Sequence, residues 1–228
     1  MREIIFDTET TGFEPFPRDE SKQPDRIVEI GAIEVENLKP TGRIFHEYIN
    51  PKRSIPVEVV KIHGIDDEKV KNCPTFEQIA DKWLEFIGDD SKLVAHNASF
   101  DMKFINAELL WSGNRVISDN RVIDTLPMAR SQFPGQRATL DALCNRFGID
   151  NSGRDFHGAL LDSELLLEVY IELCGGKQRG FELAQNTVQN TVGFSKNTRE
   201  KRTFTVSEEE LQAHESFLKK IKDPIWKK

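Results

Sequence analysis

The stretch Glu3-Ile4-Ile5-Phe6-Asp7-Thr8-Glu9-Thr10-Thr11-Gly12 constrains this chain more than any other, because it sets Asp7 and Glu9 into what otherwise reads as a buried strand. Side chains alternate faces along a strand, so Asp7 and Glu9 point the same way, roughly 6 to 7 Å apart at about 3.3 Å rise per residue. The Thr-Thr-Gly that follows reads as a turn. Two desolvated carboxylates side by side raise each other's pKa unless a cation holds them. Hard divalent ions such as Mg²⁺ take oxygen ligands of this kind. A D-x-E pair taken alone is more often a strand end with its acids in solvent, so partner acids elsewhere in the chain decide between the two readings.

With 228 residues the chain can hold one sizeable α/β core plus an appendage. No apolar run approaches the roughly 20 residues that span a bilayer, and the N-terminus lacks the basic, apolar, small-residue order of a signal peptide. Cys73, Cys144 and Cys174 are odd in number and widely spaced, which indicates neither a disulfide framework nor a zinc site. A reducing, cytoplasmic setting without a membrane is the expectation. The net charge of −7 at first argues against a nucleic-acid partner, which the charge distribution qualifies. Residues 196 to 228 carry nine Lys or Arg against six Asp or Glu, so the acidic excess lies in the body of the chain. Such a body can still act on phosphodiesters if its acids bind metals that face the phosphate, and it would then grip a short end.

Arg26 to Glu36 alternates as a second strand, Lys39 to Gly42 reads as a turn, and Arg43 to Asn50 as a third strand, which makes an antiparallel meander. Phe13 to Asp25, with three prolines, is a loop beside Asp7 and Glu9. A short helix starts at Pro56 and stops at Gly64, and its His63 either packs or meets a ligand. Pro74 to Ile87 carries a helical apolar stripe read as core. Lys92 to Asn97 is a short buried strand, and the helix opening at Ala98-Ser99 runs to about Leu110. On it Asp101 shares a face with Phe104, Ile105 and Leu109, an unusual place for an acid, though a first-turn acid also suits the helix dipole. Val116 to Asp124 reads as a strand and Ala138 to Phe147 as a helix, with Thr139 a cap and Gly148 a stop. In the apolar helix Leu165 to Leu173, the preceding Asp162 falls on the face of Leu166, Val169 and Leu173. His157 and Asp162 are five residues apart, about 140° round a helix, so they cannot share one face. His157 therefore belongs to the loop before the helix, where a group can swing over a bound substrate.

Four acids that can converge, Asp7, Glu9, Asp101 and Asp162, thus come with His157 beside them. The D-x-E-T, H-N-x-x-F-D and H-x(4)-D spacings, in that order from residue 2 to about 175, resemble the DEDDh branch of 3′ to 5′ exonucleases. The resemblance implies an α/β, ribonuclease-H-like fold: a mixed five-stranded sheet, its first three strands antiparallel, flanked by helices. It also implies two Mg²⁺ or Mn²⁺ ions, with Asp7 bridging both, Glu9 and Asp162 completing the site of the attacking water, and Asp101 serving the second ion through water. His157 is then the general base, and the product a nucleoside 5′-monophosphate. By the same resemblance Asp7, Glu9, Thr10, Glu58, His63 and Asp162 meet the terminal nucleotide, with the Thr8 to Thr10 backbone near its 3′-hydroxyl, while His96 supports the site structurally. A 3′ end must be unpaired to enter such a pocket, so frayed, mispaired ends are the expected substrate.

Three segments follow: an exonuclease domain over 1–176, a linker over 177–206 rich in Asn, Thr, Gln and charge, and a C-terminal helix and tail over 207–228. Within the linker, residues 178–183 (Gln178-Arg179-Gly180-Phe181-Glu182-Leu183) resemble the short peptide by which bacterial replication proteins dock on the sliding clamp; a frayed helix end is the other reading. Ser207 to Glu210 is a capping-box start, followed by a stripe of Leu211, His214, Leu218 and Ile221 and by Trp226. That layout resembles the proofreading subunits of bacterial replicative polymerases. It implies binding of the polymerase alpha subunit through 207–228, of the clamp through 178–183, and of a small theta-like subunit. Two other readings use the same residues: an exonuclease trimming RNA or oligonucleotide 3′ ends, and a non-catalytic nucleic-acid-binding module on this fold.

Overall fold

The computed structural model describes residues 1–19, 21–152, 156–175 and 206–220. The chain divides into two compact units, Met1–Leu183 and Ala184–Lys228. The peptide at 178–183 and the end of the tail from 221 lie outside the described residues.

Strands β1 (Arg2–Thr10), β2 (Ile27–Glu36), β3 (Lys39–Tyr48), β4 (Lys92–Ala95) and β5 (Val122–Asp124) form one sheet in the order β3-β2-β1-β4-β5. The first three pair antiparallel, and β4 and β5 are added parallel, which is the mixed sheet expected from the sequence. Around it stand α1 (Val57–His63), α2 (Asp67–Val70), α3 (Phe76–Ile87), α4 (Ala98–Trp111), α5 (Thr125–Gln132), α6 (Leu140–Phe147) and α7 (Ala159–Leu173). The middle strand is β1, and it is covered on both faces, so its apolar run is continuous rather than alternating. Ile4 and Phe6 pack with Trp83 of α3 and Phe104 of α4. Ile5 packs on the other side with Leu166, Leu167 and Tyr170 of α7. Each such side chain, fully buried, contributes about 1.5–3 kcal/mol, so these two layers set the position of β1. The same parity then sends Asp7 and Glu9 towards α7, and Thr8 and Thr10 towards α4.

The approach of α7 to the sheet is close. Gly31 on β2 faces Asp7 in register. A Cβ built on it would lie 2.2 Å from Leu160 N of α7. Ser163 Oγ, 2.9 Å from Gly31 O and 2.7 Å from Ala159 O, pins the helix to that point.

The structure corrects the sequence reading in several places. Lys39 to Gly42 is not a turn: the reversal falls on Asn37 and Leu38, both at positive φ (53° and 63°), and β3 already runs from Lys39. Pro40 is tolerated there because β3 is an edge strand, and Gly42 (φ 88°) lies where the pairing of β2 with β3 shifts register between Ile33 and Val35. The strand read over Val116 to Asp124 is only Val122–Asp124. Before it, Asn106 binds both the N–H and the C=O of Ile117, and Asp119–Arg121 forms a 3-10 turn. The last core helix begins at Ala159 instead of Leu165, which puts Asp162 in its first turn. The sequence pattern marks neither α2 nor α5. In the second unit α8 (Glu208–Leu218) opens on a Ser207/Glu210 capping box, as expected, and exposes Leu211 and Phe217.

Gly31→Ala should push α7 off the sheet, lowering stability by at least the about 1–3 kcal/mol usual for overpacking. Urea unfolding measures this, and a variant as stable as the parent would contradict the close approach.

Candidate active site

Glu9, near the end of β1, meets one side chain from the segment before α7 and one from its first turn: ligand atoms of Glu9, His157 and Asp162 all lie within 4.8 Å of one another. They line a cavity of about 210 Å³ that also takes in Asp7 and Asp101, with His96, Asn97 and Phe100 on its wall. Residues from both faces of β1 therefore reach one space at its end. Asp101 arrives from α4, where its Oδ1 accepts hydrogen bonds from the Thr8 N–H (3.1 Å) and the Thr8 hydroxyl (2.8 Å). Asp162 is buried in the first turn of α7, where the positive end of the helix dipole favours an acid.

His157 sits in the segment just before α7, as its spacing from Asp162 requires. Its Nδ1 lies 3.4 Å from Asp162 Oδ2, and its ring is half exposed. Its backbone N–H donates to Ile62 O at 3.0 Å, which ties this segment to the end of α1. There Gly64, at φ 68°, ends the helix, and a Cβ on it would come within 3.1 Å of the Phe156 ring. His63 is buried beside this junction, its Nδ1 accepting the Ile65 N–H at 3.0 Å, and burial holds its pKa below the usual histidine range. His96 bridges Thr125 Oγ1 (2.8 Å) and Ala138 O (2.7 Å), and burial lowers its pKa as well.

The expected substrate contacts are less concentrated. Glu58 lines a larger neighbouring cavity of about 710 Å³ together with Thr11, Gly12 and Phe13. Thr10 is buried, its hydroxyl donating to Gly12 O at 2.6 Å and so shaping the turn after β1. Neither Thr10, Glu58 nor His63 lines the smaller cavity that holds the acids.

Residues 4–170 match the RNase T exonuclease family model. A curated relative, DNA polymerase III subunit epsilon of Rickettsia felis, is 50% identical over 229 aligned residues, covering 97% of each chain. The chain belongs to the epsilon-subunit branch of the RNase T exonucleases. Among solved structures, Exonuclease X in complex with 5′ overhanging duplex DNA is similar at 25% identity and a TM-score of 0.58, over 75% of this chain and 89% of that one. E. coli Exonuclease I in complex with a dT13 oligonucleotide shares the fold at 18% identity and a TM-score of 0.66, over 79% of this chain and 42% of that one.

Enzymes of this family are metal-dependent, and the donor set in this exonuclease fits a hard divalent cation. Carboxylate oxygens predominate, they come from rigid elements, and Asp101 and Asp162 are held out of solvent. Without compensating positive charge the acids are poorly accommodated: burial pushes the Asp101 carboxyl up to about 7, despite the hydrogen bonds from Thr8. Thr8 as the partner of Asp101, and Asn97 at φ 64° where α4 begins, escaped the sequence reading. An Asn directly before a helix at a strand end was the available signal for the second, since Asn tolerates that conformation.

The raised pKa of Asp101 gives a pH dependence with a definite sign. The folded state holds the proton between about pH 3.8 and pH 7, where the unfolded chain has lost it, so this group's contribution falls as pH rises through about 7. In EDTA, thermal melting from pH 5 to pH 8 should therefore fall more steeply for the parent than for Asp101→Asn. Parallel curves would contradict the assignment.

Proposed function

We propose that this chain is the proofreading 3′ to 5′ exonuclease of a bacterial replicative polymerase, removing mispaired 3′-terminal nucleotides from DNA in the cytoplasm. The observation that carries the chemistry is the convergence of Glu9, His157 and Asp162 within 4.8 Å, beside Asp7 and Asp101. Two Mg²⁺ or Mn²⁺ ions held by Asp7, Glu9, Asp101 and Asp162 would supply the charge compensation and Lewis acidity that phosphodiester hydrolysis needs. The chain's own residues then orient and deprotonate. With Nδ1 against Asp162, the imidazole of His157 presents Nε2 to the attacking water and takes its proton. His157 suits this role better than that of a ligand, since hard cations prefer oxygen and its ring is half exposed at the mouth of the site. Water oxygen adds to phosphorus and the bond from phosphorus to the 3′-oxygen breaks. The strand keeps a 3′-hydroxyl, and the last residue departs as a nucleoside 5′-monophosphate.

Glu58 and His63, with Asp7, Glu9, Thr10 and Asp162, are the proposed contacts of the terminal nucleotide. The larger cavity past Gly12 suits its base and sugar. Pairing to a template would have to be broken first, which makes selection for mispaired ends a matter of fraying energy. Residues 1–176 are proposed as the exonuclease domain, 178–183 as the clamp peptide in a linker over 177–206, and 207–228 as the polymerase-binding tail. In support of the last, α8 is capped by its own sequence and exposes Leu211 and Phe217, as a helix awaiting a partner groove would.

His157→Ala should lower kcat on a single-stranded DNA substrate in Mg²⁺ by about 10² to 10⁴ while melting as the parent does. Parent-like turnover would remove the general-base assignment. Deleting 207–228 should leave that turnover intact and abolish co-purification with the polymerase. Retained co-purification would place the polymerase contact elsewhere.

A further inference from the structure

The chain buries one more acid next to this site. Glu29 on β2 is 2% exposed and lies directly opposite Glu9 in the β1–β2 register, on the same face of the sheet. Two partners hold it. Its Oε2 accepts the Ala159 N–H, the first of α7, at 3.1 Å, and its Oε1 lies 2.7 Å from His46 Nε2 on β3. A carboxylate accepts, which assigns the ring proton to Nε2. His46 is itself placed by register opposite Gly31, the glycine on which α7 rests, and its ring packs on Tyr48 at 5.1 Å.

We infer that Glu29 and His46 are a positioning pair: through the first N–H of α7 they fix Asp162 and His157 relative to Glu9. The first N–H groups of a helix have no partner inside it. Here the N-cap residue is Gly158, which has no side chain to offer, so the cap comes from a strand 130 residues away in sequence. Mere stabilisation would not favour this arrangement. A Ser or Thr at the N-cap satisfies the same group locally, and a buried acid beside a second acid is a costlier choice than an apolar residue of similar size. What Glu29 adds is a direct tie between the strand position facing Glu9 and the turn that carries Asp162. Neither Glu29 nor His46 lines the cavity that holds the acids, so the pair acts on the site through the elements that carry its side chains, α7 foremost.

This inference rests on the exonuclease reading of the site, and its test separates the two. Mn²⁺ affinity is measured by electron paramagnetic resonance, kcat and KM on a single-stranded oligonucleotide, and the melting temperature, for the full chain and its Glu29→Ala, Glu29→Gln and His46→Ala variants. Glu29→Ala should weaken Mn²⁺ binding and lower kcat by about 10- to 100-fold, the usual range for groups that orient ligands from behind, with KM within about threefold. Glu29→Gln keeps an acceptor for the Ala159 N–H and should recover most of both losses. His46→Ala, at a side chain already 32% exposed, should melt with the parent yet lose kcat in the same direction. Should Glu29→Ala fail to fold, the His46→Ala and Glu29→Gln results decide. Parent-like Mn²⁺ affinity and kcat in His46→Ala, or a Glu29→Gln as impaired as Glu29→Ala, would overturn the pair's role. A parent that binds Mn²⁺ through Glu29-dependent geometry but cleaves nothing would sink the enzyme reading and leave the positioning role standing.

Discussion

Like charges repel by about 4 kcal/mol at 4 Å in the effective dielectric of a protein surface, and this chain brings Glu9 and Asp162 close to that spacing at the end of its middle strand. Glu9 and Asp162 come within 4.8 Å, Asp7 and Asp101 share their cavity, and Glu29 stands directly behind Glu9. Against a typical net stability of about 5–15 kcal/mol, such repulsion is a large fraction of the total. The rest of the fold can be understood as what holds these groups together until divalent cations reverse the sign of the interaction.

Three anchors do this, and each uses the backbone. The even-numbered face of β1 delivers Thr8, whose N–H and hydroxyl hold Asp101 from α4. The odd-numbered face delivers Asp7 and Glu9, while α7 is drawn onto β2 by the absence of a side chain at Gly31 and by the Ser163 and Glu29 hydrogen bonds. The third is the Ile62 carbonyl, which holds the His157 segment against the end of α1. Because α1 also carries Glu58 and His63, the group proposed to take the proton and the groups proposed to meet the nucleotide share a support.

What the sequence revealed follows from how local each signal is. The D-x-E pair, the inward acid on α4 and the H-x(4)-D spacing depend on strand and helix periods, which are written into neighbouring residues. The limits of α1, between Pro56 and Gly64, were legible for the same reason. The start of β3 was not, because the reversal uses Leu38 at positive φ, a residue without turn chemistry, while the glycine that looked like a turn sits inside the strand. Before Val122 the segment does not pair as a strand, because the side chain of Asn106 takes both backbone groups of Ile117 and Asp119–Arg121 closes a 3-10 turn. Glu29 could have been noticed as an acid flanked by apolar residues on both sides in β2, though Glu34 and Glu36 share that strand. Its partners, Ala159 and His46, lie on other elements and could not.

The central claim is that cations make this cluster of acids bearable. Melting temperature as a function of Mn²⁺ concentration at pH 8 tests it most directly, since a ligand that binds only the folded state stabilises it by mass action. The melting temperature should climb with Mn²⁺ in the parent and barely move in Glu9→Gln. A parent whose melting temperature ignores Mn²⁺ would contradict it.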